Sequence, residues 1–217
     1  TILTDLDEDF LMMHYEVTNA QYVAFLTTAL SDGLITAGVN SVTGPWDGSG
    51  SYEYLDLNDA VTGHISYAAG VFTIDAGYED HPVTEVTWFG ADAFADYYTG
   101  LRLPTEFEWE KAARGDLAYD YPWGDDDPTC DDANFSGCVG ETQPVGTATG
   151  ASPYGILDMA GNVWEWTASF DAVATTERVL RGGSFSSAGT SLRTWNTYSN
   201  DPANASVNVG FRCVLDN

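Results

Sequence analysis

The feature that most constrains the fold of this chain is the contrast between its two halves. The first half carries capped, amphipathic segments typical of helices, whereas the stretch from Asp116 to Asn217 is punctuated by glycine and rich in aromatic residues. That second stretch offers only brief extended runs and no helical period. A few early helices followed by short strands and loops predict one α+β domain over residues 1–217, without a linker or an internal repeat.

Three helices are predicted from their caps and their apolar spacing. Thr18 and Asn19 are good N-caps, and apolar residues recur at helical spacing after them. Thr105 and Glu108 form a capping-box pattern. The predicted helices end at Leu30, span Phe89 to Thr99 with Gly100 as the stop, and run from Pro104-Thr105 to Gly115.

Short strands are predicted where aromatic and β-branched residues form runs between turns. These runs read YEYLDL, HISY and VFTI in the first half, and NVWEWTAS, RVLRGGSF and VGFRCVL in the second. Trp164 and Trp166 stand two residues apart, so both would face one side of a strand, which we assign to the core. Gly182 and Gly183 suit a bulge or a close backbone approach.

The charge of the chain excludes whole classes of partner. It has 33 acidic residues against seven Lys and Arg, a formal net charge of −26. Nucleic acids and anionic membranes need a basic surface, so we expect neither as a partner. The composition favours adaptation to high salt over a simple gain in solubility. No apolar run of about 20 residues is present for a membrane span.

Location is the least constrained property. No signal peptide is visible, and Thr1 in place of Met suggests that the start has been trimmed. We expect a cell-surface or secreted protein of a salt-adapted prokaryote or its virus, and a protein or cell-surface feature as the target.

The three cysteines divide into a pair and a single residue. Cys130 and Cys138 flank the acidic loop CDDANFSGC and could close a small disulfide ring, with the redox state left open. Cys213 is expected to be a buried strand residue. A structural zinc site would need more ligands at regular spacing, so it is rejected.

Seven phrases follow one another in order along nearly the whole chain. They read EVTNAQY, HPVTEVTW, RLPTEFEWEKAARG, YPWG, SPYGILDMAGNVWEWT, RGGSF and GFRC. This series resembles the sulfatase-modifying-factor family, whose founding member is the formylglycine-generating enzyme. The resemblance implies an α+β, C-type-lectin-like fold with few helices, small twisted antiparallel sheets and long ordered loops.

The resemblance also implies structural calcium at a loop rich in oxygen ligands. Asp158 and Glu165 would supply side-chain oxygens, while Gly161 and Val163 would supply backbone oxygens, a donor set that suits Ca²⁺. Asp158 stands where the enzyme has Asn. The alternative is structural: Asp158 caps a turn and Glu165 pairs with an arginine.

A second calcium site of the family would use the side chain of Asn134 and the carbonyl of Phe135. The partner acid has no clear match because Gly137 stands near its position. The acidic residues that could substitute for it are Asp131, Asp132 and Glu141.

The few arginines are expected to serve the architecture of the domain. Arg102, Arg181 and Arg212 are scarce cations in an acidic chain. We expect them to form buried or half-buried pairs with carboxylates such as Glu106 or Glu165.

The catalytic apparatus of the founding enzyme is missing. That enzyme uses two cysteines after the RGGS phrase to bind copper, and here Ser186 and Ser187 stand in that region. Hydroxyls cannot replace thiolates as ligands of Cu(I). The only histidines are scattered without ligand spacing: His14, His64 and His81. The chain is therefore predicted not to be an enzyme, the alternative being an oxidoreductase of this family or an enzyme with an unrecognised site.

Charged residues nearly vanish between positions 182 and 208, where only Arg193 and Asp201 remain. Small polar residues with a few aromatics are typical of adaptable binding surfaces. The candidate ligand-binding residues are Ser186, Ser187, Gly189, Thr190, Ser191, Trp195, Thr197, Tyr198, Ser199, Asn200, Ala205, Ser206 and Asn208, with Phe185 as a borderline case.

This segment, framed by RGGS-like and GFR-like phrases, resembles that of the variable proteins of diversity-generating retroelements. The resemblance implies a scaffold over residues 1–180 and a diversified recognition segment over 181–213. Two alternatives stay open: an ordinary Ser/Asn-rich surface loop, and a calcium-dependent carbohydrate-binding module. The acidic-Pro-Asn type of sugar-site triplet is missing, and Asn200-Asp201-Pro202 resembles it only superficially.

Overall fold

The computed structural model describes residues 3–5, 10–58 and 60–216. Its helices are α1 (Asn19–Ser31), α2 (Ala60–Gly63), α3 (Trp88–Tyr97) and α4 (Glu106–Arg114), with two 3₁₀ turns at Gly115–Leu117 and Gly189–Leu192. Among the described residues after Leu117, the second 3₁₀ turn is the only helical element. The predicted contrast between the two halves is confirmed.

The helix ends follow the predicted caps closely. Thr18 and Thr105 each accept a hydrogen bond from the third residue of their helix, and Gln21 and Glu108 each accept one from the cap backbone. Gly115 ends α4 as expected. The helix α3 stops at Tyr97 rather than Thr99, because Tyr98 is already extended, with φ −95° and ψ 107°.

The strands are short and gather in four sheets. They are β1 (Leu3–Asp5), β2 (Phe10–Met13), β3 (Thr36–Ala37), β4 (Ser41–Trp46), β5 (Ser49–Asp56), β6 (Ile65–Ala68), β7 (Val71–Ile74), β8 (Leu101–Arg102), β9 (Trp164–Phe170), β10 (Arg178–Arg181), β11 (Tyr198–Asn200), β12 (Val209–Gly210) and β13 (Val214–Asp216). The sheet orders are β1-β2-β13-β8, β11-β10-β9-β12, β3-β4-β5 and β6-β7. All of these strand pairings are antiparallel except that of β12 with β9.

The first sheet joins the two ends of the chain. In it β13 lies between β2 and β8, with Val214 opposite Met12 on one side and Arg102 on the other. Arg102 also pairs with Glu108 and Asp216, both at 2.6 Å. Cys213 is fully buried but lies just before β13 rather than inside a strand.

The prediction that the arginines pair with buried or half-buried carboxylates is confirmed. Arg212 pairs with Glu165, and Arg181 pairs with Glu110 at 2.7 Å. Glu106 lies one turn before Glu110 on the same face of α4, and its charge also acts on Arg181.

The main core packs aromatic side chains between α1, α3 and the sheets. Tyr22 and Phe25 of α1 meet Phe94 of α3 and Phe211, with ring centroids 5.3–6.0 Å apart. Trp166 is fully buried in this core, while Trp164 is only partly buried at its edge. Within the described part of the chain, no helix is both long and apolar enough to cross a membrane.

Candidate recognition face

The C-terminal segment is carried by the sheet β11-β10-β9-β12. The segment begins at the end of β10, a strand that is buried along its whole length and pairs with β9 on one side and β11 on the other. Leu180 lies opposite Trp166 in one pairing and opposite Tyr198 in the other. The segment therefore leaves the sheet after β10 and rejoins it at β11, which forms the edge of the sheet.

Two glycines turn the chain sharply away from β10. Gly182 and Gly183 have φ of +95° and +79°, values that side chains other than glycine rarely adopt. A Cβ on Gly183 would also stand 2.6 Å from Leu192, and one on Gly182 would stand 3.1 Å from Trp109. The predicted close backbone approach is thus observed at both positions.

Buried polar contacts then fix the middle of the segment. Arg181 donates to the carbonyl of Thr194 at 2.6 Å as well as to Glu110. Thr194 is fully buried, and its hydroxyl donates to the carbonyl of Tyr119 at 2.7 Å. Its backbone N–H donates to the carbonyl of Asp120 at 2.8 Å. These contacts tie the segment to the loop after α4.

The residues between those fixed points are accessible. None of the 13 candidate ligand-binding residues is buried, whereas Gly182, Gly183, Leu192, Thr194 and Phe211 all are. The most accessible are Ser186, Thr190, Trp195, Thr197 and Tyr198. We call the 13 residues together the recognition face.

Part of the recognition face forms a cleft with an aromatic wall. The cleft has a volume of about 290 Å³ and is lined by Trp164, Leu180, Tyr198, Asn200, Ser206, Asn208 and Val209. The rings of Trp164 and Tyr198 lie 5.8 Å apart at 37°. The cleft therefore combines two aromatic surfaces with amide and hydroxyl groups.

Hydrogen bonds hold the polar rim of this cleft. Ser206 donates to Asn208 at 2.7 Å, and Asn208 donates in turn to Ser186 at 3.3 Å. The hydroxyl of Ser184, which is fully buried, lies 3.1 Å from that of Ser186. The polar groups are thus positioned before any ligand arrives, which lowers the entropic cost of binding.

A second part of the recognition face surrounds Trp195, which is 47% exposed. Its indole N–H donates to Asp120 at 3.2 Å, and the guanidinium of Arg193 lies 5.4 Å from its ring. Asn196 donates to the carbonyl of Ser191 at 3.2 Å. This part borders the loop after α4.

The disulfide ring supports the start of the recognition face. Cys130 and Cys138 are bonded to each other, as the sequence suggested. Within that ring, the backbone N–H of Ser136 donates to the carbonyl of Ser187 at 2.9 Å. A Cβ on Gly189 would stand 3.0 Å from Pro128, just before the ring. The ring and the segment are therefore in direct contact.

One candidate residue points away from the cleft. Side chains alternate along a strand, so Tyr198 and Asn200 share a face of β11 and Ser199 takes the other. Ser199 accordingly donates to Glu177 at 2.6 Å. Three lining residues were not among the sequence candidates: Trp164, Leu180 and Val209. The two-residue spacing of Trp164 and Trp166 predicts a core strand and gives no sign of a cleft at the edge of that strand.

The first candidate calcium loop is occupied by an ion pair. Both oxygens of Glu165 accept hydrogen bonds from Arg212 at 2.8 Å, and one also accepts from the indole of Trp109 at 2.7 Å. Both Glu165 and Arg212 are fully buried. The guanidinium thus stands where a cation would be required, and the arrangement does not fit a Ca²⁺ ligand set that includes Glu165.

Asp158 belongs to the same buried cluster. It accepts a hydrogen bond from the backbone N–H of Gly146, as a turn cap does. Burial raises its pKa to about 6, against the lowering effects of that hydrogen bond and of Arg212. Glu16, also buried, accepts from Asn162 at 2.7 Å, and burial together with Asp158 and Glu165 raises its pKa well above the usual value.

The second candidate calcium site offers one free ligand atom. The side-chain nitrogen of Asn134 donates to the carbonyl of Glu141 at 2.8 Å, while its Oδ1 is buried and accepts no hydrogen bond. The carbonyl of Phe135 accepts from Cys138. Nowhere in the part of the chain that the structure describes do three His, Cys, Asp or Glu side chains converge as metal ligands.

The serines and the cysteine considered for catalysis differ in burial, and two of the histidines share one aromatic neighbour. Ser186 and Ser187 occupy the rim of the recognition face, whereas Cys213 is buried and burial raises its thiol pKa. His64 and His81 both contact Tyr78, with ring centroids 3.5 and 4.5 Å apart. His81 also hydrogen-bonds Thr142 at 2.9 Å.

Fold and site together define a lectin-like scaffold whose exposed C-terminal segment is mounted on a buried, ion-paired core. The family model described as "Sulfatase-modifying factor enzyme 1-like domain" matches residues 4–217, and the chain belongs to this family. The family resemblance of the sequence is confirmed.

Curated relatives include a protein named as inactive and proteins named as enzymes. The "Inactive C-alpha-formylglycine-generating enzyme 2" of Bos taurus is 40% identical over 156 residues, 62% of this chain and 50% of that protein. The "Hercynine oxygenase" of Mycolicibacterium thermoresistibile is 38% identical over 163 residues, 63% of this chain and 36% of that protein. The chain spans only 28–33% of the length of the first curated relatives that it matches.

A solved structure confirms the fold. "Treponema denticola variable protein 1" superposes with a TM-score of 0.69 at 18% identity, covering 100% of this chain and 92% of that one. Identity at this level shows shared architecture alone. The lectin-like α+β fold is therefore established for the present chain.

Proposed function

We propose that this protein is a non-catalytic ligand-binding protein that displays a diversified recognition face on a lectin-like scaffold. One observation carries the proposal. All 13 candidate residues are accessible, while the phrases that frame them in sequence are buried and hydrogen-bonded into the core. Such an arrangement lets side chains change without loss of the fold, as variable binding proteins require.

Two further observations support a binding role. The positions near those of the missing catalytic cysteines carry Ser186 and Ser187, which cannot hold copper. The fold is shared with a protein named as variable, and a relative with 40% identity is named as inactive. We propose a protein or cell-surface feature as the target and a cell-surface or secreted location for the binder.

The test is to sequence the surrounding locus. We expect a reverse transcriptase gene and a near-copy of the codons for residues 181–213, differing from the gene at adenines of the copy. Differences confined to positions such as Ser186 and Tyr198 would support diversification. A locus with neither feature, or a sulfatase gene in their place, would contradict the proposal.

Carbohydrate binding is a second candidate function, favoured by the cleft. Trp164 and Tyr198 provide aromatic surfaces on which a sugar ring can stack, and Asn200 and Asn208 provide amide groups at its edge. Screening the protein against immobilised glycans, with and without calcium, tests this candidate. Binding that Y198A abolishes would support it, and an absence of glycan binding would exclude it.

An enzymatic role is the third candidate, since relatives at 36–38% identity over 63% of this chain are named as hercynine oxygenases. The histidines and cysteines of this chain form no common site among the described residues. Turnover of hercynine by the purified protein would overturn the non-catalytic proposal.

Calcium enters the proposal as a structural ion near Asn134 and Phe135. The unpaired Oδ1 of Asn134 is the observation that favours this position over the loop of Asp158, Gly161, Val163 and Glu165. Calcium should then raise the melting temperature of the wild type and leave that of N134A unchanged. An equal rise in both proteins would contradict it.

A further inference from the structure

A second concave site shares no residue with the recognition face. It is a groove between α1, α3 and the β4–β5 hairpin, with a volume of about 260 Å³. Typical pockets for drug-sized ligands are roughly 300–1,000 Å³, so this groove suits a small solute. Its lining residues include four aromatics: Phe25, Trp46, Tyr54 and Tyr97.

Tyr54 packs directly against two glycines beside this groove. A Cβ on Gly44 would stand 2.6 Å from the ring of Tyr54, and a Cβ on Gly90 of α3 would collide with the carbonyl of Tyr54. The hydroxyl of Tyr54 donates to the carbonyl of Pro45. Because its polar group is already engaged, Tyr54 offers the groove its ring rather than a hydrogen bond.

The other aromatic walls are held in a similar way. The indole N–H of Trp46 donates to Asp92 at 2.7 Å, and its ring packs edge-on against Trp88 at 5.4 Å. The rings of Phe25 and Tyr97 lie 5.2 Å apart. The groove is thus lined by aromatic rings that the fold holds in place: Trp46 and Tyr97 are half-buried, and Phe25 and Tyr54 are buried.

The charge around these rings is negative. Asp47 and Asp96 are exposed lining residues, and none of the described residues that line the groove is basic. Burial, followed by the charges of Asp92 and Asp96, raises the pKa of Tyr54 to about 12. The negative charges of Asp92 and Asp96 therefore act on the ring of Tyr54 itself.

We propose that this groove binds small solutes with a methylated ammonium head of the choline type. Such a cation has no N–H group to satisfy, so it needs no hydrogen-bond acceptor from the aromatic walls. The faces of Trp and Tyr rings attract it, and nearby carboxylates add long-range attraction. An anion would be repelled, and an inorganic cation would need oxygen ligands that the aromatic walls do not supply.

Choline and its neutral isostere 3,3-dimethylbutan-1-ol test the proposal directly. Both fill the same space, so their difference isolates the positive charge. Isothermal titration at constant ionic strength should show choline binding at least about tenfold more tightly. Equal affinities, or a signal reproduced by sodium at the same concentration, would overturn the proposal.

Matched variants separate the groove from the overall charge of the chain. D47N/D96N removes two lining charges, and the amide introduced at position 47 can still accept the hydrogen bond from Ser49, so choline affinity should fall at least about fivefold. D126N/D127N removes two exposed charges outside the groove and should leave choline affinity unchanged. If both double variants lose the same choline affinity, choline is attracted to the acidic surface as a whole and not to the groove.

The aromatic contribution and the source of the cation need two further measurements. Y97L keeps an apolar side chain but removes a π face, and it should weaken choline binding with little change in the melting temperature. If vesicles of phosphatidylcholine bind while free choline does not, the solute site is wrong. The recognition face is untouched by these variants, so the outcome is independent of the proposed function.

Discussion

The guanidinium of Arg212 and the carboxylate of Glu165 form a two-pronged ion pair, with both N–O distances at 2.8 Å and both side chains fully buried. The backbone carbonyls of Met13, Leu157 and Asp158 accept further hydrogen bonds from the guanidinium. One arginine thus connects the start of the chain, the central loop and the C-terminal frame of the recognition face.

Replacing Glu165 by Gln should destabilise the protein strongly. The substitution leaves Arg212 charged and buried without its partner, a loss of about 3–5 kcal/mol in the free energy of unfolding. Urea unfolding at neutral pH measures the loss. If Glu165 pairs with Arg212 and does not bind calcium, the difference between wild type and E165Q should be the same with and without millimolar calcium.

A control for E165Q is D116N, which removes one charge from the exposed pair of Lys111 and Asp116. Exposed pairs contribute less than about 1 kcal/mol, so D116N should be nearly neutral. A difference between wild type and E165Q that widens in calcium would instead identify Glu165 as a metal ligand.

Replacing Asp158 by Asn should stabilise the protein above pH 6. Asp158 has φ +57°, a conformation that Asn tolerates well, and its pKa is raised to about 6. A raised pKa means that ionisation costs stability as pH rises from the unfolded value of 3.8 through 6. The gain should be about 1–3 kcal/mol at pH 8 and disappear below pH 4.

The matched control for D158N is D171N, which should behave in the opposite sense. Backbone hydrogen bonds from Ala174 and Val173 lower the pKa of the Asp171 carboxyl. Its stabilising effect is therefore present at neutral pH and lost as pH falls. Thermal melts from pH 2 to 8 should show the D158N difference changing between about pH 4 and 6, and the D171N difference changing in the opposite sense below about pH 4. Changes of the same sign in the two variants would contradict both assignments.

The features predicted from the sequence are those that neighbouring residues determine. The capping boxes at Thr18 and Thr105 each lie within four consecutive residues, and the stop at Gly115 lies ten residues after Thr105. The glycine turn at Gly182 and Gly183 is local in the same sense, because positive φ disfavours other residues. Predicting such local geometry needs no knowledge of the rest of the fold.

The features that escaped prediction depend on distant partners. The partner of Arg181 is Glu110, and the packing of α4 against β10 decides which acid of the helix reaches this arginine. Trp164 lines a cleft because only the ring of Tyr198, at the start of β11, lies beside it and leaves it half-buried. The spacing of residues in the sequence does not show where a sheet ends or which segment lies beside that end.

Trp195 and Tyr198 should tolerate truncation without loss of the fold. Their side chains are 47% and 59% exposed, so W195A and Y198A should each lower the free energy of unfolding by less than about 1 kcal/mol. W166A is the control, because its ring is fully buried and its removal should cost about 3–5 kcal/mol. Comparable losses in all three variants would place the exposed rings in the core and remove them from the recognition face.

Opening the disulfide ring should loosen the start of the recognition face. The bond between Cys130 and Cys138 closes a loop with a sequence separation of 8, and its loss should cost about 2–3 kcal/mol in the chain-entropy model. Because Ser136 donates to the carbonyl of Ser187, hydrogen exchange should accelerate around residues 184–190 in C130S/C138S. The β6–β7 hairpin, which forms a sheet of its own, serves as the internal reference. Dithiothreitol should reproduce the effect in the wild type and add nothing in the double variant; unchanged exchange at 184–190 would show that the ring does not support this surface.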